Sequence, residues 1–167
     1  MKKLKRPTDQ RLALLRSQAT SLLWYGKIET TADKAKAVQS YAEKLLTKAI
    51  NTYQDTVKAV KTVVDANGVK SQKEVLNDGP KKLNARRQIM AKLYDIQEVR
   101  ANKESKEAFV ARTKDIKHPL IEKIFNEYAP KYAERKEQLG IGGGYTRVLN
   151  LGVRKGDNAQ LVIIELI

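Results

Sequence analysis

The residues of this chain best suited to chemistry lie in Gly140-Ile-Gly-Gly-Gly-Tyr-Thr-Arg147, where four glycines stand beside an aromatic ring and a guanidinium. Glycines let a backbone lie close to a large anion. A Walker loop, however, needs Gly-Lys-Ser/Thr opening a helix after a strand, so that the lysine and hydroxyl meet the terminal phosphates and magnesium. Here Gly144 is followed by Tyr145-Thr146-Arg147 and a β-branched run, which reverses that order of elements. A dinucleotide fingerprint fails as well, since the sixth-position glycine and the preceding strand are both missing. What remains is a helix-to-strand joint. It fits either a plain connector or a contact with RNA in which Gly143 and Gly144 admit the backbone, Tyr145 stacks and Arg147 forks onto phosphate.

Enzyme chemistry has little to draw on. The chain has no Cys and a single His, His118, so thiolate chemistry, disulfides and zinc sites of the usual spacing are excluded. A Ser or Thr nucleophile needs a positioned base, and no spacing of Lys, Asp or Glu singles one out. Glu29 and Asp33 are accounted for by a strand edge and the first turn of a helix. We therefore expect no catalytic residue, no cofactor, no metal and no small-molecule substrate.

Charge points elsewhere. There are 33 Lys+Arg against 19 Asp+Glu, a net +14 in 167 residues, which predicts a polyanionic partner. The first 48 residues hold 11 of the basic and 4 of the acidic side chains, so half of the excess lies there. Lys2, Lys3, Lys5 and Arg6 precede any core-forming residue and make residues 1–7 a basic N-terminal extension, disordered in isolation. Arg154 and Lys155, at a predicted hairpin tip, are balanced between a solvated turn and a contact. No stretch approaches the roughly 20 apolar residues needed to cross a bilayer, and no apolar run follows the basic start, which predicts a cytoplasmic chain without membrane contact.

The elements that must carry these groups change period along the chain. Thr8 and Asp9 offer capping oxygens to a helix with a Leu12, Leu15, Ala19, Leu22 stripe, Arg11 and Arg16 outside it, and Gly26 as its stop. A short strand from Lys27 to Thr31 leads into a second helix, capped by Thr30 or Thr31, that buries Ala35, Val38, Ala42, Leu45, Leu46 and Ala49 and turns lysines outward. Residues 51–82 form an insertion: Val57, Val60 and Val64 suggest a helix, Asn67-Gly68 a turn, and Asn77 to Pro80 a loop. Asn84 is expected to cap a third helix with Ile89, Met90, Leu93 and Tyr94 on its apolar side. That start puts Arg86 and Arg87 in the first turn, where an outside anion would relieve the helix dipole. Residues 98–117 are a second, charged insertion. Pro119 starts a helix with Leu120, Ile124, Phe125 and Tyr128 as its stripe, and Pro130 breaks or kinks it.

Tyr145 to Val153 and Gln160 to Ile167 are two aliphatic, β-branched runs around a Gly-Asp-Asn turn, hence a hairpin. With the strand near Ile28 it makes a three-stranded sheet covered on one face by helices. The fold class is α+β: one two-layer domain over residues 1–167, in the order α-β-α-α-α-β-β with its inserted segment. Trp24 fits the core better than a stacking platform, and His118 is a helix-entry residue.

Taken in order, Arg11-Leu-Ala-Leu-Leu-Arg-Ser-Gln-Ala-Thr-Ser-Leu-Leu23, Lys27-Ile-Glu-Thr-Thr-Ala-Asp-Lys-Ala-Lys36, Ala42-Glu-Lys-Leu-Leu-Thr47, Ala85-Arg-Arg-Gln88, Gly143-Gly-Tyr-Thr-Arg147, Gly156-Asp-Asn-Ala159 and Ile164-Glu-Leu166 resemble one family. It is the bacterial large-subunit ribosomal protein numbered seventeen. The resemblance covers roughly 1–50, 83–95 and 118–167. It implies a structural constituent of the large ribosomal subunit that binds and braces ribosomal RNA near the polypeptide exit region, beside neighbouring ribosomal proteins. The family pattern implies RNA contacts at Lys3, Lys5, Arg6, Arg11, Arg16, Lys27, Lys34, Lys36, Arg86, Arg87, Tyr145 and Arg147. Gln10 stands where the family usually has His, and Pro7 is also a departure. Charge alone leaves a nucleoid-type DNA-binding protein as the alternative.

Overall fold

The protein is described by a computed structural model over residues 3–64, 70–114 and 116–167. Lys2 and the Asn67-Gly68 turn lie outside the described residues. α1 spans Thr8–Tyr25 and buries Leu15, Ala19, Thr20, Leu22 and Leu23. Leu12, expected in that stripe, is exposed, since the seam slides round toward Leu23 instead. Neither Thr8 nor Asp9 caps the helix: Pro7 takes the N-cap place, its carbonyl accepting from the Arg11 N–H, and no side chain bonds there. Proline's fixed φ leads the chain straight into the first turn, with Asp9 inside it to complement the dipole. Gly26 ends the helix in the left-handed region.

β1 (Lys27–Thr31) runs directly into α2 (Ala32–Ile50), the central helix. All the expected core positions of α2 are buried, together with Ala37 and Ile50. Small alanines along this seam let α2 lie close to α1, α3, α6 and the sheet at once.

After α2 the chain departs from the expected helix. Thr56–Val64 is β2, paired antiparallel with β3 (Lys70–Asp78) as a two-stranded ribbon. The 3-4 spacing of Val57, Val60 and Val64 also occurs in a strand dense in Val and Thr, and β-branched side chains favour the strand. Asp55 then fixes the start of α3 (Pro80–Met90): its carboxylate accepts from the N–H groups of Lys81 at 2.8 Å and Lys82 at 3.2 Å. Gly79 is required beside it, because a Cβ there would collide with the Asp55 carboxylate. Asn84 is therefore inside α3 and caps nothing. Arg86 and Arg87 consequently lie past the first turn, Arg87 in the last, and the dipole argument for an anion beside them falls. Tyr94 lies beyond the helix, not on its apolar side.

α4 (Lys106–Thr113), within the charged segment, buries nothing, and Ser105 caps it. α5 (Pro119–Lys123) continues through a π-helical turn, Ile124–Tyr128, into α6 (Ala129–Leu139). Pro130 does not break this helix. A proline clashes with the carbonyl four residues back and offers no N–H; the wider π turn in front of it absorbs that conflict.

β4 (Thr146–Val153) and β5 (Gln160–Leu166) form the expected hairpin, and β1 joins β5 from the other side, giving the order β1-β5-β4, all antiparallel. A bulge between Asn150 and Gly152 shifts the register toward the turn. Val162 and Ile164 of β5 face the helices. The class is α+β as expected, with two layers around the three-stranded sheet and a separate ribbon inserted after α2.

Candidate nucleic-acid interface

Where cations lie matters less than what neutralises them. Among the described residues, none of the ten Lys and Arg side chains from Lys3 to Lys48 pairs with a carboxylate. The ion pairs between described residues with known partners run from Asp78 onward. Arg86 binds both Asp78 and Glu122, each at 2.5 Å, and Lys82 joins Asp78 at 3.0 Å. Arg112 engages Glu98 and Glu104, Arg147 engages Glu165 at 2.5 Å, and Arg154 engages Asp157 at 2.6 Å. Lys82, Arg86, Arg112, Arg147 and Arg154 are thus partnered locally, while the cations of α1, β1 and α2 remain available to an outside anion.

Lys3, Lys5, Arg6, Lys27 and Lys36 are exposed; Arg11, Arg16 and Lys34 are half-buried. The extension is not a loose tail in its described part. The Arg6 N–H closes a turn on the Lys3 carbonyl at 3.1 Å, and Leu4 packs on the core. Arg11 and Arg16 do not point freely outward either: the Nε of each is buried without a hydrogen-bond partner. An unfilled buried donor is costly in a free protein, so these two guanidinium groups are the ones an incoming acceptor helps most.

Several expected contacts change role. Arg86, with 18% of its side chain exposed, is the centre of an internal network and lies 5.1 Å from the Phe125 ring centroid. Its neighbour Arg87 is exposed and free of any carboxylate among the described residues. Arg147 is 61% exposed but paired, Arg154 is folded onto its own turn, and Lys155 is exposed beside it. The Arg154 hydrogen bond draws the Asp157 carboxyl down to about 2, so this turn keeps its charge pair through ordinary acid.

Tyr145 is a correction. Its ring is 5% exposed and lies against Tyr132, centroids 4.8 Å apart at 50°, so no base can stack on it. Burial pushes the Tyr132 hydroxyl up to about 12, which keeps that partner neutral. The glycine joint is held as well. Gly143 and Gly144 have φ of +98° and +57°, and Arg135 from α6 donates to both carbonyls, to Gly144 at 3.2 Å, while its guanidinium covers Tyr132 and Tyr145. The joint is clamped by Arg135, a side chain that no local pattern singles out, and the glycines serve its left-handed turns.

Two other rings are open where Tyr145 is not: Tyr25, which beside Trp24 reads as core or stacking platform, is 72% exposed at the end of α1, and Tyr94, expected on an apolar helix side, is 46% exposed. Trp24 packs partly on the core, with Lys123 over its ring at 5.6 Å. Among the described residues no cluster of His, Asp and Glu could hold a metal ion, and no helix is long and apolar enough to cross a membrane.

Comparison with known proteins decides which family the chain belongs to. A family model described as ribosomal protein L17 matches residues 14–167. The chain belongs to the ribosomal protein L17 family. It is 40% identical to large ribosomal subunit protein bL17 of Lachnospira eligens, over 99% of this chain and 98% of that one. The bL17 proteins of Acetivibrio thermocellus and Clostridium acetobutylicum are each 35% identical, over 99% of this chain and 98% and 96% of theirs. As an L17 protein it is a structural constituent of the large ribosomal subunit, a cytoplasmic particle, and not an enzyme. The DNA-binding alternative is thereby set aside.

Proposed function

We propose that this L17 protein binds large-subunit ribosomal RNA through the surface formed by its N-terminal turn, α1, β1 and the start of α2, and braces that RNA near the polypeptide exit region beside neighbouring ribosomal proteins. The observation that carries this reading is an unbroken run of unpaired cations: among the described residues none from Lys3 to Lys48 has a carboxylate partner, whereas Lys82, Arg86, Arg112, Arg147 and Arg154 do. Lys3, Lys5, Arg6, Arg11, Arg16, Lys27, Lys34, Lys36 and Arg87 supply the phosphate contacts. Arg147, Arg154 and Lys155 at the hairpin contribute only where a phosphate displaces or supplements an existing pair. Arg86, Tyr145, Gly143 and Gly144 support the fold behind this surface.

Neutralising phosphates releases counterions, so affinity for deproteinised large-subunit RNA should fall steeply with salt. Six neutralised phosphates give a slope of log affinity against log salt of about −4 on the single-strand scale. Exchanging Lys3, Lys5 and Arg6 for Gln should make that slope shallower by about 2 units while leaving the melting temperature unchanged, read by filter binding across a salt series. A flat response of the unaltered protein would sink the electrostatic account. Placement near the exit region is tested by cross-linking from Lys27 or Lys36 in assembled subunits to exit-region RNA and proteins.

A further inference from the structure

Two helices, α1 and α2, hold the backbone around Tyr94. The Tyr94 N–H donates to Thr20 Oγ1 at 3.1 Å, and that hydroxyl donates in turn to the Arg16 carbonyl at 2.7 Å. The Tyr41 hydroxyl donates to the Lys92 carbonyl at 2.9 Å, and Leu93 between them is buried. The backbone carrying Tyr94 is therefore pinned to α1 and α2, yet its ring remains 46% exposed. A fixed, open aromatic face carries little ordering cost when a flat ligand arrives.

Its surroundings suit one kind of ligand. Tyr94 forms part of the wall of a cavity of about 140 Å³, whose other walls include Met90, Leu93, Asp95 and His118. Apolar side chains there can cover a planar ring, while Asp95 and His118, 3.3 Å apart, can accept from and donate to its edge. On α1, Arg16 lies beside the Tyr41 hydroxyl, has no carboxylate partner among the described residues, and keeps a buried, unfilled Nε. Lys92, whose carbonyl accepts from that hydroxyl, is exposed.

We propose that Arg16, Tyr41 and Tyr94 form a seat for one unstacked nucleotide of ribosomal RNA, the base lying on the Tyr94 ring and its phosphate on the Arg16 guanidinium. The seat rests on the RNA-binding reading above and adds a definite place to it. Single unpaired bases splayed from RNA are held by this combination of a π face, edge hydrogen bonds and a cation on the backbone. An isolated phosphate would leave the ring and cavity unused, and an apolar protein segment would leave Arg16 unpaired.

The test uses the full chain and deproteinised large-subunit RNA. Tyr94→Leu keeps apolar bulk and every backbone bond, so it should fold with an unchanged melting temperature. Its affinity should fall by about 5- to 100-fold, with the salt slope intact, because stacking and not charge is lost. Tyr94→Phe should bind within about 3-fold of the unaltered protein, and one unpaired base protected from chemical modification by both should become reactive with Tyr94→Leu. If Tyr94→Leu binds as tightly as the unaltered protein and the slope stays steep, the seat is overturned while the RNA reading stands. Unchanged RNA affinity with weakened incorporation into subunits would assign the ring to a protein neighbour and equally overturn the seat. A salt-independent unaltered protein overturns the RNA reading, and the seat with it.

Discussion

Tyr145→Ala should lower the free energy of unfolding by about 3–5 kcal/mol, the usual cost of removing a buried aromatic side chain. For a chain of this size that is a fall in melting temperature on the order of 10 °C. The ring closes the joint between α6 and β4: it packs on Tyr132, lies under the Arg135 guanidinium at 5.5 Å, and its carbonyl accepts from the Ile167 N–H at 3.1 Å, tying the end of the chain to the start of β4. Losing it opens a cavity at the point where the sheet is anchored to the helical layer. Tyr145→Phe keeps the ring and should stay within about 1 kcal/mol of the unaltered protein. Thermal and denaturant unfolding measure both. Under the structural role, the salt slope for RNA binding is unchanged in each folded variant; a stable Tyr145→Ala protein with weakened RNA binding would return the ring to the interface.

The same joint shows how much of the molecule was legible in the sequence. Helix seams and the hairpin are local patterns. Ala35 to Ala49 in α2, and the Gly-Asp-Asn turn between β4 and β5, therefore appear where their spacing puts them. The cationic N-terminal surface was legible too, because charge density is a property of composition. What sequence could not supply was partnership across long separations. Arg86 lies eight residues from Asp78 and 36 from Glu122, and only the fold brings the three together. Asp55, which replaces Asn84 as the cap of α3, acts over 26 residues. Tyr145 near Arg147 reads as a stacking ring beside a phosphate fork, yet Tyr145 stands just before β4 with its ring against Tyr132, while Arg147, inside the strand, faces Glu165 of β5. The β2–β3 ribbon was missed for a different reason. Val57, Val60 and Val64 satisfy a helical period, and β-branching decides only once a partner strand is present.

That ribbon leads to Arg86, for which the expected effect is nearly as large. Asp78 is the last residue of β3, and Arg86 on α3 joins it to Glu122 on α5, so one guanidinium fixes the root of the ribbon to two helices. Arg86→Ala leaves both carboxylates partly buried with less than their full complement of donors, and should cost about 2–3 kcal/mol, below the range for a fully buried pair because Lys82 still reaches Asp78. Amide exchange should rise first in β2 and β3, which have little else to hold them. Burial pushes the Asp78 carboxyl up, but the hydrogen bonds from Arg86 and Lys82 outweigh it and hold the group below its ordinary value. A depressed carboxylate contributes its stabilisation above the ordinary Asp range near 3.9 and loses it as pH falls through the lower, folded value. Without Arg86 that depression shrinks, so the gap in stability between the two proteins should be widest at neutral pH and narrow below about pH 4. Arg87→Ala next door is the control with opposite signs: stability within about 0.5 kcal/mol, and a salt slope for RNA binding shallower by about 0.7 to 0.9. Were Arg86→Ala to unfold like the unaltered protein while flattening the salt slope, the pin and the phosphate contact would have to exchange places.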